Sequence, residues 1–229
     1  MEEKIIIKAK EDLSKRVSEK RFKHTASVAE TALKIAKHFT NIDLEQISTE
    51  KLRPKVKAIK EILNTDDYIG KIELAAWLHD SCKEIPGMDL LKLAEFYKIK
   101  VFDEDLEFPN VLHARIGAAW AEEEYKIKDP HILHAIEEHT LGGNNMLLSS
   151  KILYLADMLE PNRDAGLKAK DPELVTKLDQ IRNYIFIENN LDKALIQAMN
   201  QKIIEVLEDN KVIHPLSVES RNSLVLASS

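Results

Sequence analysis

Leu74-Ala75-Ala76-Trp77-Leu78-His79-Asp80 is the stretch on which the reading of this chain turns. Five apolar residues run without a break, and an imidazole and a carboxylate then stand where helical packing predicts another apolar side chain. An ionised carboxylate beside an imidazole at the end of a core helix is costly to desolvate unless something pairs with it, and a bound cation does so well. The pair therefore calls for further ligands elsewhere in the chain.

Outward from it, 229 residues with 44% hydrophobic and 31% charged content describe a soluble globular chain with ample core, near the upper limit for one domain. Only 6 Gly and 7 Pro interrupt long stretches of Ala, Leu, Ile, Lys and Glu, which predicts an all-α chain without a strand. Residues 18–39 read as one amphipathic helix. Phe22, Ala26, Ala29, Leu33 and Ala36 recur at helical spacing behind a Ser18 N-cap, and His24 shares a face with Val28, Thr31 and Ile35. Further helices are predicted at about 50–63, 67–82, 88–98, 110–125, 130–140, 146–160, 172–188, 191–210 and 216–226. The breaks between them, such as Ile85-Pro86-Gly87 and Leu141-Gly142-Gly143-Asn144-Asn145, are local, so residues 1–229 are expected to form one domain. The lysine-rich segment 47–68 is expected to be a helical insertion, a hairpin on the surface.

The net charge of -6 argues against a general nucleic-acid or anionic-membrane surface. No apolar run approaches the roughly 20 residues that span a bilayer, the N-terminus Met1-Glu2-Glu3-Lys4 has no signal-peptide pattern, and Cys82 has no partner for an internal disulfide. A reduced cytoplasm is the expected location. The long apolar C-terminal helices could help to form a homodimer.

Candidate ligands recur once per helix apart from the adjacent pair: His24, His79 with Asp80, His113, His139 and Asp157. A lone histidine on an apolar face is more often a satisfied core residue than a ligand, and Asp157 alone could pair with Arg163 or Lys151. The joint pattern is harder to explain that way. Asp157 interrupts Ile152-Leu153-Tyr154-Leu155-Ala156, and His113 shares a face with Ile116, Gly117 and Trp120, settings in which polar groups need partners. Imidazole and carboxylate together suit iron, manganese or zinc, and the lack of clustered cysteines argues for a catalytic rather than a structural site. His38, His131 and His134 read as structural.

The order His, His-Asp, His, His, Asp across an all-helical chain resembles the HD-domain phosphohydrolase superfamily. Arg21-Phe22-Lys23-His24-Thr25, His79-Asp80-Ser81-Cys82-Lys83, His113-Ala114-Arg115-Ile116-Gly117-Ala118 and His139-Thr140 narrow the resemblance to its YqeK-type subfamily. So do Leu155-Ala156-Asp157-Met158-Leu159-Glu160-Pro161-Asn162-Arg163 and Val212-Ile213-His214-Pro215-Leu216-Ser217. The resemblance implies a single-domain HD-type helical bundle and an iron-dependent phosphohydrolase that cuts dinucleoside tetraphosphates symmetrically, diadenosine tetraphosphate giving two ADP. It also implies one or two metal ions. His24, His79, Asp80 and Asp157 would hold the main one, with His113 and His139 beside it on a second metal or on phosphate. Asp80 and Lys83 would be catalytic, the former on metal and water, the latter meeting charge on the transferred phosphoryl group. The nucleotide would meet His24, Lys83, His113, His139, Thr140, Arg163 and the run Val212, Ile213, His214, Pro215, Leu216 and Ser217.

Three departures stand out. The segment between His24 and His79 is longer than the family's, Leu141-Gly142-Gly143-Asn144-Asn145 replaces a typical Thr-Gly-Arg-Pro-Asn, and His214 stands where Tyr is usual. Competing readings are another HD phosphohydrolase, acting on nucleoside monophosphates or guanosine tetraphosphate, and a non-catalytic nucleotide-sensing module.

Overall fold

The computed structural model describes residues 2–47, 50–65, 67–162 and 172–228. Among them the chain forms twelve α-helices and no strand, which is the all-α class expected from its composition. They are α1 (Glu2–Arg16), α2 (Glu19–Asn41), α3 (Arg53–Leu63), α4 (Tyr68–Leu78), α5 (Gly87–Phe96) and α6 (Asp103–Glu107). After these come α7 (Leu112–Tyr125), α8 (Pro130–Glu138), α9 (Leu148–Leu159), α10 (Pro172–Phe186), α11 (Leu191–Glu208) and α12 (Pro215–Ser228).

α4 is the hub, touching α1, α2, α8 and α9. Ile72, Leu74, Ala75, Ala76 and Leu78 are all buried, so this helix is apolar on nearly every side, as a helix enclosed by others must be. α2 meets it and α9 with a face of small residues, Ala29, Ala32 and Ala36 among Val28 and Ile35, which lets the backbones approach closely. Ser18 caps α2 as predicted, its Oγ accepting from Arg21 N at 3.3 Å. A smaller cluster of Cys82, Leu90, Ala94, Leu112 and Ile116 seals α5 onto α7. α11 packs on α9, α10 and α12 and closes the other side.

The structure departs from the sequence reading in four places. α1 was not anticipated; its Ile6, Ala9 and Leu13 lie at helical spacing on the face buried against α4, but charged residues dilute that signal. α6 was also missed, being only 5 residues long and held by the carboxylate of Asp105, which accepts from Phe102 N at 2.8 Å. The described part of the 47–68 insertion holds one helix, α3, in place of a hairpin. Val56 and Leu63 dock it while Lys55 and Lys57 face outward and Lys60 Nζ donates to Ile42 O at 2.7 Å. Finally, α4 ends at Leu78. The segment 79–84 continues as tight turns, bonded Ser81 N to Leu78 O and Lys83 N to Asp80 O, so His79, Asp80 and Lys83 sit on a turn beyond the helix rather than along one of its faces.

Candidate metal centre

Five elements deliver the six candidate ligands to one point. His24 comes from α2, His79 and Asp80 from the turn after α4, His113 from the first turn of α7, His139 from the residue after α8, and Asp157 from the last turn of α9. Asp80, almost fully buried at 3% exposure, stands in the middle. Its Oδ2 lies 3.6 Å from both His24 Nε2 and His79 Nε2; its Oδ1 lies 3.2 Å from His113 Nε2 and 3.6 Å from His139 Nε2. Asp157 Oδ1 completes the ring, 3.0 Å from His24 Nε2 and 3.9 Å from His79 Nε2. Two overlapping groups could hold a metal ion, His24 with His79 and Asp80, and Asp80 with His113 and His139, the carboxylate being common to both.

The three buried histidines share one local device. Each Nδ1 hydrogen-bonds the carbonyl three residues earlier: His79 to Ala76 O and His139 to Ile136 O, both at 2.7 Å, and His113 to Asn110 O. A carbonyl only accepts, so Nδ1 carries the proton, and each Nε2 lone pair is turned toward Asp80. His79 Nε2 is buried and makes no hydrogen bond, an arrangement that disfavours a satisfied core histidine and fits a cation.

The electrostatics divide the centre. Burial pushes the His79 and His113 pKa values down to about 4, so both are neutral donors near neutral pH. At His24 burial also pulls downward, but hydrogen bonds to Asp157 and Glu160 outweigh it and hold the value up at about 9. Burial raises the Asp80 carboxyl, yet His79, His113 and His139 together keep it well below its ordinary range, and it is ionised.

A family model described as "HD domain" matches residues 21–162, a span that contains all six of these side chains. The chain belongs to the HD-domain family. Similar curated proteins include the "Bis(5'-nucleosyl)-tetraphosphatase, symmetrical" of Staphylococcus aureus (strain NCTC 8325 / PS 47), 27% identical with 95% of this chain and 93% of the relative aligned. The protein of the same name from Halalkalibacterium halodurans is 29% identical, over 92% of this chain and 91% of its own. Among solved structures, a predicted HD superfamily hydrolase involved in NAD metabolism from Clostridium acetobutylicum superposes with a TM-score of 0.73 at 27% identity, covering 96% of each chain.

In this HD domain the other expected residues fall into three groups. Lys83 Nζ reaches His113 Nε2 at 3.3 Å, and burial lowers its pKa; Thr140 Oγ1 lies 3.3 Å from the same nitrogen. Val212, Ile213, His214 and Ser217 line a cavity of ≈ 270 Å³ that Thr140 also borders. Pro215 and Leu216 do not line it: Pro215 opens α12 and Leu216 faces a neighbouring hollow beside Gly142 and Gly143. Arg163 lies outside the described residues. His38, His131 and His134 stand apart, on Asn189, Tyr68 and Glu138 respectively.

Sequence reasoning missed five contributors. Arg21 donates to Asp80 Oδ2 at 2.6 Å, and Glu160 accepts from His24 Nδ1 at 3.1 Å; both lie inside the quoted motifs. Arg16 on the unforeseen α1 bolts down the His79–Lys83 turn, its Nε donating to Ser81 O at 2.9 Å while its guanidinium stacks 4.3 Å from the Trp120 ring. Asp105 and Arg115 form a buried pair beside the apolar cavity. His214 Nδ1 accepts from Leu216 N, so its proton sits on Nε2, 3.3 Å from Asp105 Oδ1. Its ring is buried edge-on to Phe102, which ties it into this pair rather than leaving a free stacking face.

Proposed function

We propose that the protein is a metal-dependent phosphohydrolase that cuts dinucleoside tetraphosphates at their central anhydride, so that diadenosine tetraphosphate and one water give two ADP. One observation carries this reading: Asp80 stands between two groups of histidine donors whose Nε2 atoms converge on it, beside an apolar cavity able to take a nucleoside. The names and coverage of the relatives supply the substrate class.

His24, His79, Asp80 and Asp157 are the residues proposed to hold the main cation, with His113 and His139 set for a second ion or a phosphate. The resemblance to the YqeK-type subfamily makes iron the first candidate, and the donor set equally suits manganese and zinc. Such an ion lowers the pKa of water from 15.7 towards about 7 and draws charge from a phosphoryl oxygen. Asp80, ionised, accepts a hydrogen bond from the attacking water and orients it. Lys83 brings an ammonium to within reach of the charge that grows on the phosphoryl group, and the Thr140 hydroxyl donates to the same phosphate. Arg163 and its planar fork of donors are assigned to a further phosphate. Val212, Ile213, His214 and Ser217, with Phe108 across the cavity, enclose the nucleoside. A cytoplasmic location and a homodimer complete the reading, and among the described residues no helix is long and apolar enough to cross a membrane.

The decisive test is to incubate the metal-loaded protein with diadenosine tetraphosphate, with shorter and longer analogues and with mononucleotides, and to separate the products. ADP as sole product of the tetraphosphate is expected; ATP plus AMP, or release of phosphate from mononucleotides alone, sinks the reading.

A further inference from the structure

A substrate cut at its middle bond places an equal nucleoside diphosphate on each side of the reacting centre, and the cavity beside Thr140, at ≈ 270 Å³, has room for the nucleoside of one arm. The other arm needs its own exit. The Asp80 carboxylate shows where that is, because its two oxygens face different ways. Oδ1 meets His113 and His139 on the Thr140 side; Oδ2 meets Arg21 at 2.6 Å and His24 at 3.6 Å. Arg21 and His24 line a second, larger cavity of ≈ 750 Å³, within the range of about 300–1,000 Å³ typical of small-molecule sites.

The two cavities differ in kind. Among the described residues the larger one has only polar and charged lining side chains, and its one ring is the His24 imidazole, which is committed to Glu160 and to the Asp80 centre. Its three carboxylates are already engaged: Glu19 by Lys23 at 2.5 Å, Glu84 by Ser18 N at 2.7 Å, and Glu160 by His24 at 3.1 Å and Asn162 N at 2.8 Å. Donors are left over. Arg21 Nε is buried without a partner, and Lys20 on the rim makes no ion pair among the described residues. A spare ammonium, a spare guanidinium N–H and spent carboxylates suit phosphate, whereas a base is normally held by stacking or by an apolar slot, for which this lining offers no uncommitted ring.

Resting on the dinucleoside tetraphosphate reading, we propose that the charged cavity beside His24 holds the second nucleoside diphosphate half by its phosphates and does not read its base. Recognition of a chemically symmetrical substrate is then one-sided. The apolar cavity selects one base, and the charged cavity accepts whatever nucleoside follows.

Two measurements test this on the metal-loaded full-length protein. Wild type is given mixed tetraphosphates with adenosine on one end and guanosine, cytidine or uridine on the other. The expected kcat/KM stays within about twofold of the diadenosine compound, the statistical factor for a substrate with one productive orientation instead of two. Discrimination of about tenfold or more against mixed substrates overturns the proposal. The second measurement uses Lys20→Ala, an exposed change that leaves the Lys23–Glu19 pair and the donors on Asp80 in place. The KM for diadenosine tetraphosphate is expected to rise about tenfold with kcat unchanged, while the inhibition constant of ADP, which occupies the apolar cavity, does not move. An unchanged KM, or an equal loss of ADP affinity, overturns it. If wild type fails to make ADP from any tetraphosphate, the functional reading itself is lost. Symmetric cleavage with an unaltered variant removes only the second subsite.

Discussion

Among the described residues are two buried histidine–aspartate assemblies, and they are put to opposite use. Beside the apolar cavity, His214 faces Asp105, Asp105 is also bound by Arg115 and by Phe102 N, and Arg115 reaches Lys100 O at 2.7 Å. In the centre, Asp80 faces four histidines whose outer nitrogens are tethered and whose inner nitrogens converge, with His79 Nε2 bonded to nothing. The first assembly satisfies its carboxylate internally and so works as a clamp on the 212–217 segment. The second keeps lone pairs in reserve. His214 Nε2 and Arg115 Nε are also buried without a hydrogen bond, but both carry protons, so a ligand centre is marked less by residue type or by unpaired polar atoms than by buried lone pairs that converge.

Breaking each assembly should show that difference. Asp80→Ala is expected to abolish hydrolysis, below about a thousandth of the parent rate, and to lower bound metal by elemental analysis, because it removes the carboxylate common to both donor groups. Normal turnover by this variant refutes the proposed chemistry. Asp105→Ala should leave metal content intact but destabilise the fold by about 3–5 kcal/mol in urea unfolding, since Arg115 would be stranded as a buried charge. Replacing both partners by apolar residues, Asp105→Leu with Arg115→Met, should restore much of that stability yet still raise the KM for nucleotide, because nothing then faces His214. Lys83→Ala should lower kcat about a hundredfold without changing metal content, and a loss of metal would reassign that lysine to structure.

The smallest effect is the pH response of the metal-free protein. His79 and His113, with pKa values near 4 in the fold against an ordinary 6.5, bind fewer protons folded than unfolded between those limits. Their contribution is complete above pH 6.5 and is lost as the pH falls towards 4. His24, raised to about 9, has the opposite sign: its contribution is complete below pH 6.5 and is lost as the pH rises through 9. Thermal melts in chelator should fall on both flanks. His79→Gln should flatten the acid flank, and an unchanged acid flank would show that His79 is not the depressed group.

Much of the centre was legible before any coordinates, because metal-binding chemistry is restricted to few residue types. His24, the His79-Asp80 pair, His113, His139 and Asp157 interrupt apolar patterns that otherwise run unbroken. α1 was not legible, since Ile6, Ala9 and Leu13 are spread among charges, and with it was lost Arg16, whose hold on Ser81 O stabilises the turn bearing the pair. Asp105 and Arg115 were hidden for another reason: they look like ordinary surface charges, and only a partner 10 residues away turns them into a buried pair.

By itself, then, the sequence determined an all-α chain, the identity of six candidate donors and the Gly142-Gly143 break. Those glycines are forced by space: Gly142 has φ +76, and a Cβ on Gly143 would lie 2.1 Å from Glu138 Oε1. The tertiary structure alone decided that Asp80 turns one oxygen to each donor group, that Arg21 and Arg115 are partners of carboxylates rather than surface cations, and that two cavities of opposite character open from one centre. The physical reason is that helical periodicity and side-chain chemistry are local properties, written residue by residue. Which nitrogens are left unsatisfied, and which charges lose their water, depends on elements that meet only when the bundle closes.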